Sequence, residues 1–273
     1  MFDPLDISAI RSTAWRLGRC LYFWARRDVP SDPATNGEYW LLEKLISQSE
    51  DNATLLDIGA NRGDWTQKAC DLLERRGRNG QIHAFEPTRS TFTFLADRFQ
   101  GKVCVCLHKT GLSDRNGVAD FFVVGEFAGT NSLQRSEGVA IEQVQTQTLD
   151  EFVATVELEE VLFAKSDTEG HDMSVLRGAE RSLREGRVAA WQFEYNHRWI
   201  ANHSCLRDVF DFVEGKPYVV GKLYGGGIEI HESWHSELDR FFEANYVLIR
   251  KDIGLNGELT RVRFNSSNVA VVI

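Results

Sequence analysis

The sequence predicts an α/β fold in which a mostly parallel sheet carries helices on both faces, and three observations lead there. From residue 54 onward, short apolar runs alternate with amphipathic stretches. The segment "TLLDIGANRGDWT", residues 54 to 66, reads as a strand, a glycine turn and a helix start. Two acids, Asp57 and Glu86, close the first two strands, and open α/β sheets bind ligands beyond the carboxyl ends of their strands.

The elements follow in order. "LDISAIRSTAWRLGRCLYFWARRD" spaces Ile10, Ala14, Leu17, Leu21 and Trp24 at three- and four-residue intervals, which is an amphipathic helix with a basic flank. Its arginines break the apolar run and disqualify it as a signal peptide. The stripe either lies on an anionic membrane or, the preferred reading, covers the core domain or a subunit partner. A second helix spans Tyr39 to Ser47, and the polar "SQSEDNA" then separates a helical cap, residues 1–50, from the domain proper, residues 51–252. Within that domain come a strand at 54–58, a helix at 64–76, the strand "QIHAFEP", the helix "TRSTFTFLADRF" and the strand "KVCVCLHKTGL". "GVADFFVVG" and "AIEQVQTQTL" add strands as an insertion. Alternation resumes with "VLFAKSD", "MSVLRGAERSLREG", "VAAWQFEYN", "CLRDVFDFVEG", "PYVVGKL" and "ANYVLIRKD". The tail, residues 253–273, ends in a β-like run that adds an edge strand or pairs with a second copy, leaving a homo-oligomer open.

Composition narrows the function. With 273 residues, 42% hydrophobic, and only 5 prolines, the chain can bury a sizeable core. A formal charge of −9 without a long basic run disfavours a nucleic-acid partner. No integral membrane segment is expected. The 5 cysteines are scattered; Cys104 and Cys106 alternate in an apolar run as core thiols, no second pair completes a zinc set, and the expected setting is reducing and cytoplasmic.

The glycine turn sets the ligand class. Gly59-Ala60-Asn61-Arg62-Gly63 lets backbone come close to a ligand at a helix start, but it is Gly-x-x-x-Gly, without the third glycine that suits a dinucleotide pyrophosphate. No Gly-Lys-Ser/Thr follows. Asp57 is placed to take an amine. Glu86, some two dozen residues past the turn, is placed to accept both hydroxyls of a ribose, with a helix-start acid as the plainer alternative. A ribose site without a pyrophosphate motif points to S-adenosylmethionine.

At this point the chain resembles the FkbM family of S-adenosylmethionine-dependent methyltransferases. The resemblance lies in Asp57-Ile58-Gly59-Ala60-Asn61-Arg62-Gly63, Phe85-Glu86-Pro87, Thr148-Leu149-Asp150, and Lys165-Ser166-Asp167-Thr168-Glu169-Gly170-His171-Asp172 with Val175-Leu176-Arg177-Gly178-Ala179. Departures are mild: the family usually has an aliphatic residue at the places of Ser166 and Thr168, and a glutamate near Asp172. The likeness covers roughly residues 50 to 250. It implies a class I, Rossmann-like fold and, most often, O-methylation of a sugar or of a natural product such as a polyketide. It also implies that Asp57, Gly59, Asn61 and Gly63 hold the methionine end of S-adenosyl-L-methionine, Glu86 the ribose, and the segment Lys109 to Asp114 the adenine, with Asp114 as its side chain.

For transfer to an alcohol, a base must take the hydroxyl proton. Lys165 and Asp167 share a strand face, with Glu169 and His171 in the loop after it; Gln192, Glu194 and Asn196 share a face of the next strand, followed by His197. Asp167, Glu169, His171, Glu194 and His197 are the catalytic candidates, Asp167 also touching the cofactor, and the base among them is left open. A helix start favours neutral His171, while the neighbouring acids oppose that. Asp167, Glu169, Glu194 and His197 also form a set that a divalent cation would accept, but carboxylates are common in caps and ion pairs, and no metal site is assigned. "LYGGGIEIHESWH", with Trp199, Tyr224 and Trp234, is either part of a lid or aromatic wall for a sugar or, slightly preferred, a hairpin turn. The expected partner is a small hydroxylated molecule. Two other functions stay open: a non-catalytic binding or scaffold protein, against which Asp57, Gly59, Gly63 and Glu86 argue, and an NAD-dependent oxidoreductase, which lacks the third glycine and a Tyr-x-x-x-Lys pair.

Overall fold

The computed structural model describes residues 4–29, 31–49, 51–123, 140–255 and 257–273, with side chains from residue 8 onward. Two helices open the chain, α1 (Pro4–Ala25) and α2 (Glu38–Gln48). Alternation follows through β1 (Ala53–Ile58), α3 (Asp64–Arg76), β2 (Gly80–Phe85), α4 (Arg89–Arg98) and β3 (Val105–His108). The insertion is β4 (Gly111–Leu112), β5 (Gly117–Val123) and β6 (Ala140–Gln147). Then come α5 (Leu149–Thr155), β7 (Val161–Ser166), α6 (Asp172–Arg177), α7 (Glu180–Arg184), β8 (Val188–Tyr195) and α8 (Leu206–Val213). The chain continues through β9 (Tyr218–Tyr224), β10 (Gly227–His231), β11 (Ala244–Arg250), β12 (Leu259–Phe264) and β13 (Ala270–Val272).

The main sheet runs β13-β12-β10-β9-β11-β8-β7-β1-β2-β3. The block β8-β7-β1-β2-β3 is parallel throughout, and β11 enters antiparallel between β8 and β9. Because β2 and β7 flank β1, successive crossovers leave β1 in opposite directions and open a crevice at its carboxyl end. β1 is apolar on both faces because both are covered. Leu55 packs with Leu41, Leu42, Trp65 and Phe163 on the α2–α3 side, while Leu56 and Ile58 pack with Phe152, Val175 and Leu176 on the α5–α6 side. The sheet is thus the middle layer between two apolar cores.

Several elements differ in detail from the sequence expectation. The strand predicted at 117–125 is β5 as far as Val123; Val124 and Gly125 lie outside the described residues. It pairs with β6 in a separate sheet of order β4-β6-β5. The helix expected over 173–186 is two, α6 and α7. Asp150 separates them: its backbone N–H donates to Gly178 O (3.0 Å), while its carboxylate accepts from the N–H groups of Arg181 and Ser182, both at 2.8 Å. The strand read through residue 149 instead ends at Gln147, where Thr148 accepts from Glu151 N at 3.2 Å and caps the unexpected α5.

The first 50 residues fall into two unlike parts. α2 buries Leu41, Leu42, Leu45 and Ile46 and belongs to the core. α1 contacts the body through its last turns, where Tyr22 donates to Glu237 at 2.8 Å and Phe23 meets Phe242 at 4.9 Å between ring centres. Its apolar stripe faces the other way, with Ile10 63% and Trp24 80% exposed, so of the two coverings expected, core domain or subunit partner, the core domain is ruled out. No helix among the described residues is long and apolar enough to cross a membrane. The glycine-rich segment is the turn of the antiparallel β9–β10 hairpin. The tail joins the main sheet, β12 running parallel to β10 and β13 antiparallel to β12.

Candidate active site

The crevice at the end of β1 holds two adjoining cavities, and Gly59, Asn61 and Asp167 line both. Gly59 is required by contact and conformation together. Its φ is +82°, and a Cβ there would stand 2.2 Å from the carbonyl oxygen of Asp167. The loops after β1 and β7 therefore touch backbone to backbone, joined by Asp167 N–H donating to Ile58 O at 3.0 Å. Gly63 is different. It is the left-handed N-cap of α3, and a Cβ would strike Leu95 of α4 and Phe99 just after it, so it serves helix packing and lines neither cavity.

The smaller cavity, about 120 Å³, has apolar walls from Phe85, Pro87, Leu112 and Phe121 and polar groups from Glu86, Thr91, Glu169 and His171. Glu86 is only 6% exposed. One of its oxygens accepts from Thr88 N–H (3.0 Å) and Oγ1 (2.7 Å), the other from Asn61 N–H (3.2 Å). A carboxylate oxygen has two lone pairs, so the second oxygen retains one for a ligand. Burial pushes the Glu86 carboxyl up, and the Thr88 and Asn61 donors oppose it. His171 Nε2 lies 2.9 Å from Ser113 Oγ, and burial lowers the imidazole to about 4, leaving it neutral near pH 7.

The larger cavity, about 210 Å³, is built largely from parts that sequence reasoning missed. Val29, Ser31, Pro33, Asn36, Glu38 and Tyr39 come from the connection between α1 and α2 and from the start of α2. Trp65 comes from α3, and Glu243, Ala244 and Asn245 from the entry to β11. Glu38 is buried and accepts from Gln192 Nε2 at 2.6 Å, on the floor formed by β8. An acid directly after Gly37 carries no spacing signal that separates it from a helix-start residue; only the packing of α2 against the sheet reveals it.

Carboxylates dominate where the cavities meet. Lys165 Nζ donates to Asp167 Oδ2 at 3.3 Å; burial works against its charge, but Asp167, Glu38 and Asp57 outweigh burial and hold it above the usual lysine range. Glu194 is held well above the ordinary carboxylate range by burial and then by Asp167, Glu243 and Glu169. Glu169, ion-paired with Arg198, is raised to about 7 by burial and Asp167, and Asp172 is raised to about 7 by the same two causes. Burial is the larger cause of each shift, and the neighbouring carboxylates add to it.

The expected residues are thus partly brought together and partly separated. Glu194 opens on the larger cavity, Glu169 and His171 on the smaller, and Asp167 on both. His197 starts the short 3₁₀ helix after β8; it is exposed and lines neither cavity, because Asn196 turns the chain outward by accepting from Arg198 N–H. The single five-residue acceptor pocket is therefore corrected to two facing groups. Asp57 also lies outside both cavities, fully buried under the turn, where its Oδ2 accepts from Thr66 Oγ1 at 2.5 Å and burial raises its pKa. Asp114 is exposed and accepts from Ser113 Oγ at 3.2 Å rather than lining the smaller cavity. The aromatic wall dissolves as well: Trp199 is core, Tyr224 lies under Arg27, and Trp234 donates to Asp239. Among the described residues, no three His, Cys, Asp or Glu side chains converge in a way that could hold a metal ion.

A crevice at the switch point of a parallel sheet, with a glycine turn after the first strand and a buried acid after the second, defines the Rossmann-like class I methyltransferase fold. The chain belongs to the FkbM methyltransferase family: the Methyltransferase FkbM domain matches residues 57–246. α1 and α2 precede the matched region, so most of one wall of the larger cavity lies outside it. Hexuronic acid methyltransferase AglP of Haloferax volcanii is 29% identical over 163 residues, covering 59% of this chain and 61% of that protein. The chain is also similar to the solved methyltransferase FkbM of Methylobacillus flagellatus KT, at 18% identity and TM-score 0.47, covering 73% of this chain and 44% of that one. Aeropyrum pernix fibrillarin in complex with natively bound S-adenosyl-L-methionine overlaps at 12% identity and TM-score 0.40, covering 77% and 74%.

Proposed function

We propose that this chain is an S-adenosyl-L-methionine-dependent methyltransferase acting on a hydroxyl oxygen of a small hydroxylated acceptor, a sugar or natural product. The observation that carries the reading is the surplus of carboxylates at the junction of the two cavities. Asp167, Glu169 and Glu194 lie together there; burial raises the Glu169 and Glu194 carboxyls first, and the neighbouring charge of Asp167 raises both further. A cationic sulfonium placed between them offsets that charge. A pyrophosphate would add negative charge at the same point, which weighs against NAD.

The smaller cavity suits the nucleoside, with its base between Leu112, Phe121 and Pro87 and a ribose hydroxyl on the remaining lone pair of Glu86. Asn61 and Asp167, on both cavities, border the methionine end. When bound, the cofactor supplies an electrophilic methyl group on sulfur. The acceptor occupies the larger cavity, where Glu38, Lys165 and Asn245 offer hydrogen bonds to hydroxyls and Tyr39 and Trp65 offer aromatic surface. Glu194 is the base. Its carboxylate faces the acceptor side and is oriented by Asn196 Nδ2 at 2.6 Å; a cation at the junction favours its ionised form, which then takes the hydroxyl proton. His171, on the nucleoside side beside Ser113, contacts the base or ribose instead. The hexuronic acid relative supports a sugar acceptor.

The test is transfer of labelled methyl from S-adenosyl-L-methionine to a panel of hexuronic acids, hexoses and polyhydroxylated natural products. Alkali-stable label, the mark of an ether, is expected. Label found only in alkali-labile esters or in amines would overturn the hydroxyl assignment.

A further inference from the structure

We propose that α1 is a surface anchor that lays the protein on an anionic lipid bilayer. The observation is a helix whose apolar face has nothing to cover. Ile10, Leu17, Leu21 and Trp24 form one stripe by their spacing and are 63%, 61%, 58% and 80% exposed. Together with Trp15 they make five of the 13 exposed large apolar side chains among the described residues, which concentrates on one helix what is otherwise scattered.

Charge identifies the occupant. Residues 4–27 contain five arginines and one acid, Asp6, in a chain whose formal charge is −9. Three of the five are engaged by the protein itself: Arg26 with Asp28, Arg27 with Glu229, and Arg19 over the rings of Trp15 and Phe23. Arg11 and Arg16 have no acidic partner among the described residues. At about 100° per residue they stand on opposite flanks of the stripe, each a little over a right angle from its centre. A cationic border around an aliphatic and tryptophan stripe matches the boundary between anionic headgroups and acyl chains. It matches a second copy of α1 poorly, since two stripes pressed together would also press their arginine borders together. Tyr22, Phe23 and Arg26 hold the far face of the last turns to the body, leaving the stripe facing away from it. The helix lies on the surface and does not span it.

The inference is independent of the methyl-transfer reading, and its test needs no acceptor. The 273-residue chain is co-sedimented with vesicles of equal phosphatidylglycerol and phosphatidylcholine, and with pure phosphatidylcholine vesicles. Binding to the anionic vesicles, about tenfold or more above that to neutral ones and weakened by salt, is expected. The exposed double variant Leu17→Gln/Leu21→Gln should reduce partitioning about tenfold or more, and Arg11→Gln/Arg16→Gln about fivefold per arginine. Far-UV circular dichroism checks that both variants are folded. Equal binding to both vesicle types, or none to either, overturns the proposal. So does a dimer by light scattering that Leu17→Gln/Leu21→Gln dissociates in a protein that ignores vesicles; that result assigns the stripe to a second copy.

Discussion

The backbone N–H of Asn61 donates to Glu86 Oε2 at 3.2 Å, so the turn after β1 and the end of β2 are held as one unit. Glu86 therefore shapes the cavity as well as lining it. Replacing it with alanine removes the charge-assisted hydrogen bond proposed to the ribose, worth about 1.5–3 kcal/mol, or about 10- to 150-fold in cofactor affinity. It also releases Thr88 and Asn61, so the ligand-free Tm should fall too. Calorimetry and thermal denaturation on the same preparation read both effects; unchanged affinity in a folded variant would leave Glu86 as a tie between loops alone.

Gly59 and Gly63 should part company. Alanine at 59 would press its Cβ onto Asp167 O at 2.2 Å and force apart the loops that frame both cavities, so stability and cofactor binding should be lost together. Alanine at 63 would collide with Phe99 and Leu95 and sits at φ +77°, so Tm should fall by several degrees while the affinity of the folded fraction stays within a few-fold. Equal losses of affinity would place Gly63 at the ligand.

Glu194→Gln keeps shape and removes the proposed base. Turnover should fall by about 10² to 10⁴ with cofactor affinity within a few-fold of the parent. His171→Ala should instead act mainly on cofactor affinity, through the smaller cavity and its contact with Ser113. The reverse pattern in parallel kinetic and binding measurements would return the base to His171.

The carboxylate surplus makes a prediction about pH. Glu169 is raised from 4.5 to about 7, so its neutral form stabilises the fold below 4.5, and that contribution is lost as pH rises through about 7. Glu169→Gln remains neutral, so the ligand-free variant should gain Tm relative to the parent over that interval and hold the gain above it. As Glu169 and Asp172 ionise, a cation gains more than a neutral sulfur does. The ratio of S-adenosylmethionine to S-adenosylhomocysteine affinity should therefore rise between about pH 6 and 8. A flat ratio would mean that the sulfonium lies away from these acids.

Much of this was legible in the sequence where a residue's neighbours in the chain are also its neighbours in space. The turn after β1, the acid after β2 and the charged end of β7 are local patterns, and each sits at the crevice. Distance along the chain hid the rest. Glu38 reaches Gln192 across 154 positions because α2 packs on the sheet, and the strand register sets Asn245 opposite Glu194. Alternation correctly put Glu194 and Asn196 on one face, but it carried no warning that Asn196 would cap the following turn and send His197 outward. Asp57 and Gly63 read as ligand contacts in a linear motif; in the fold neither lines a cavity, Asp57 accepting from Thr66 and Gly63 packing against Leu95 and Phe99.

The central claim is that the crevice accepts a cationic, sulfonium-bearing nucleoside. Isothermal titration of the ligand-free protein with S-adenosylmethionine, S-adenosylhomocysteine and NAD at neutral pH tests it most directly. Saturable binding of the first two in the low-micromolar to sub-millimolar range, with NAD far weaker, is the predicted result. NAD binding as tightly as S-adenosylmethionine, or no binding of either sulfur nucleoside to folded protein, would contradict it.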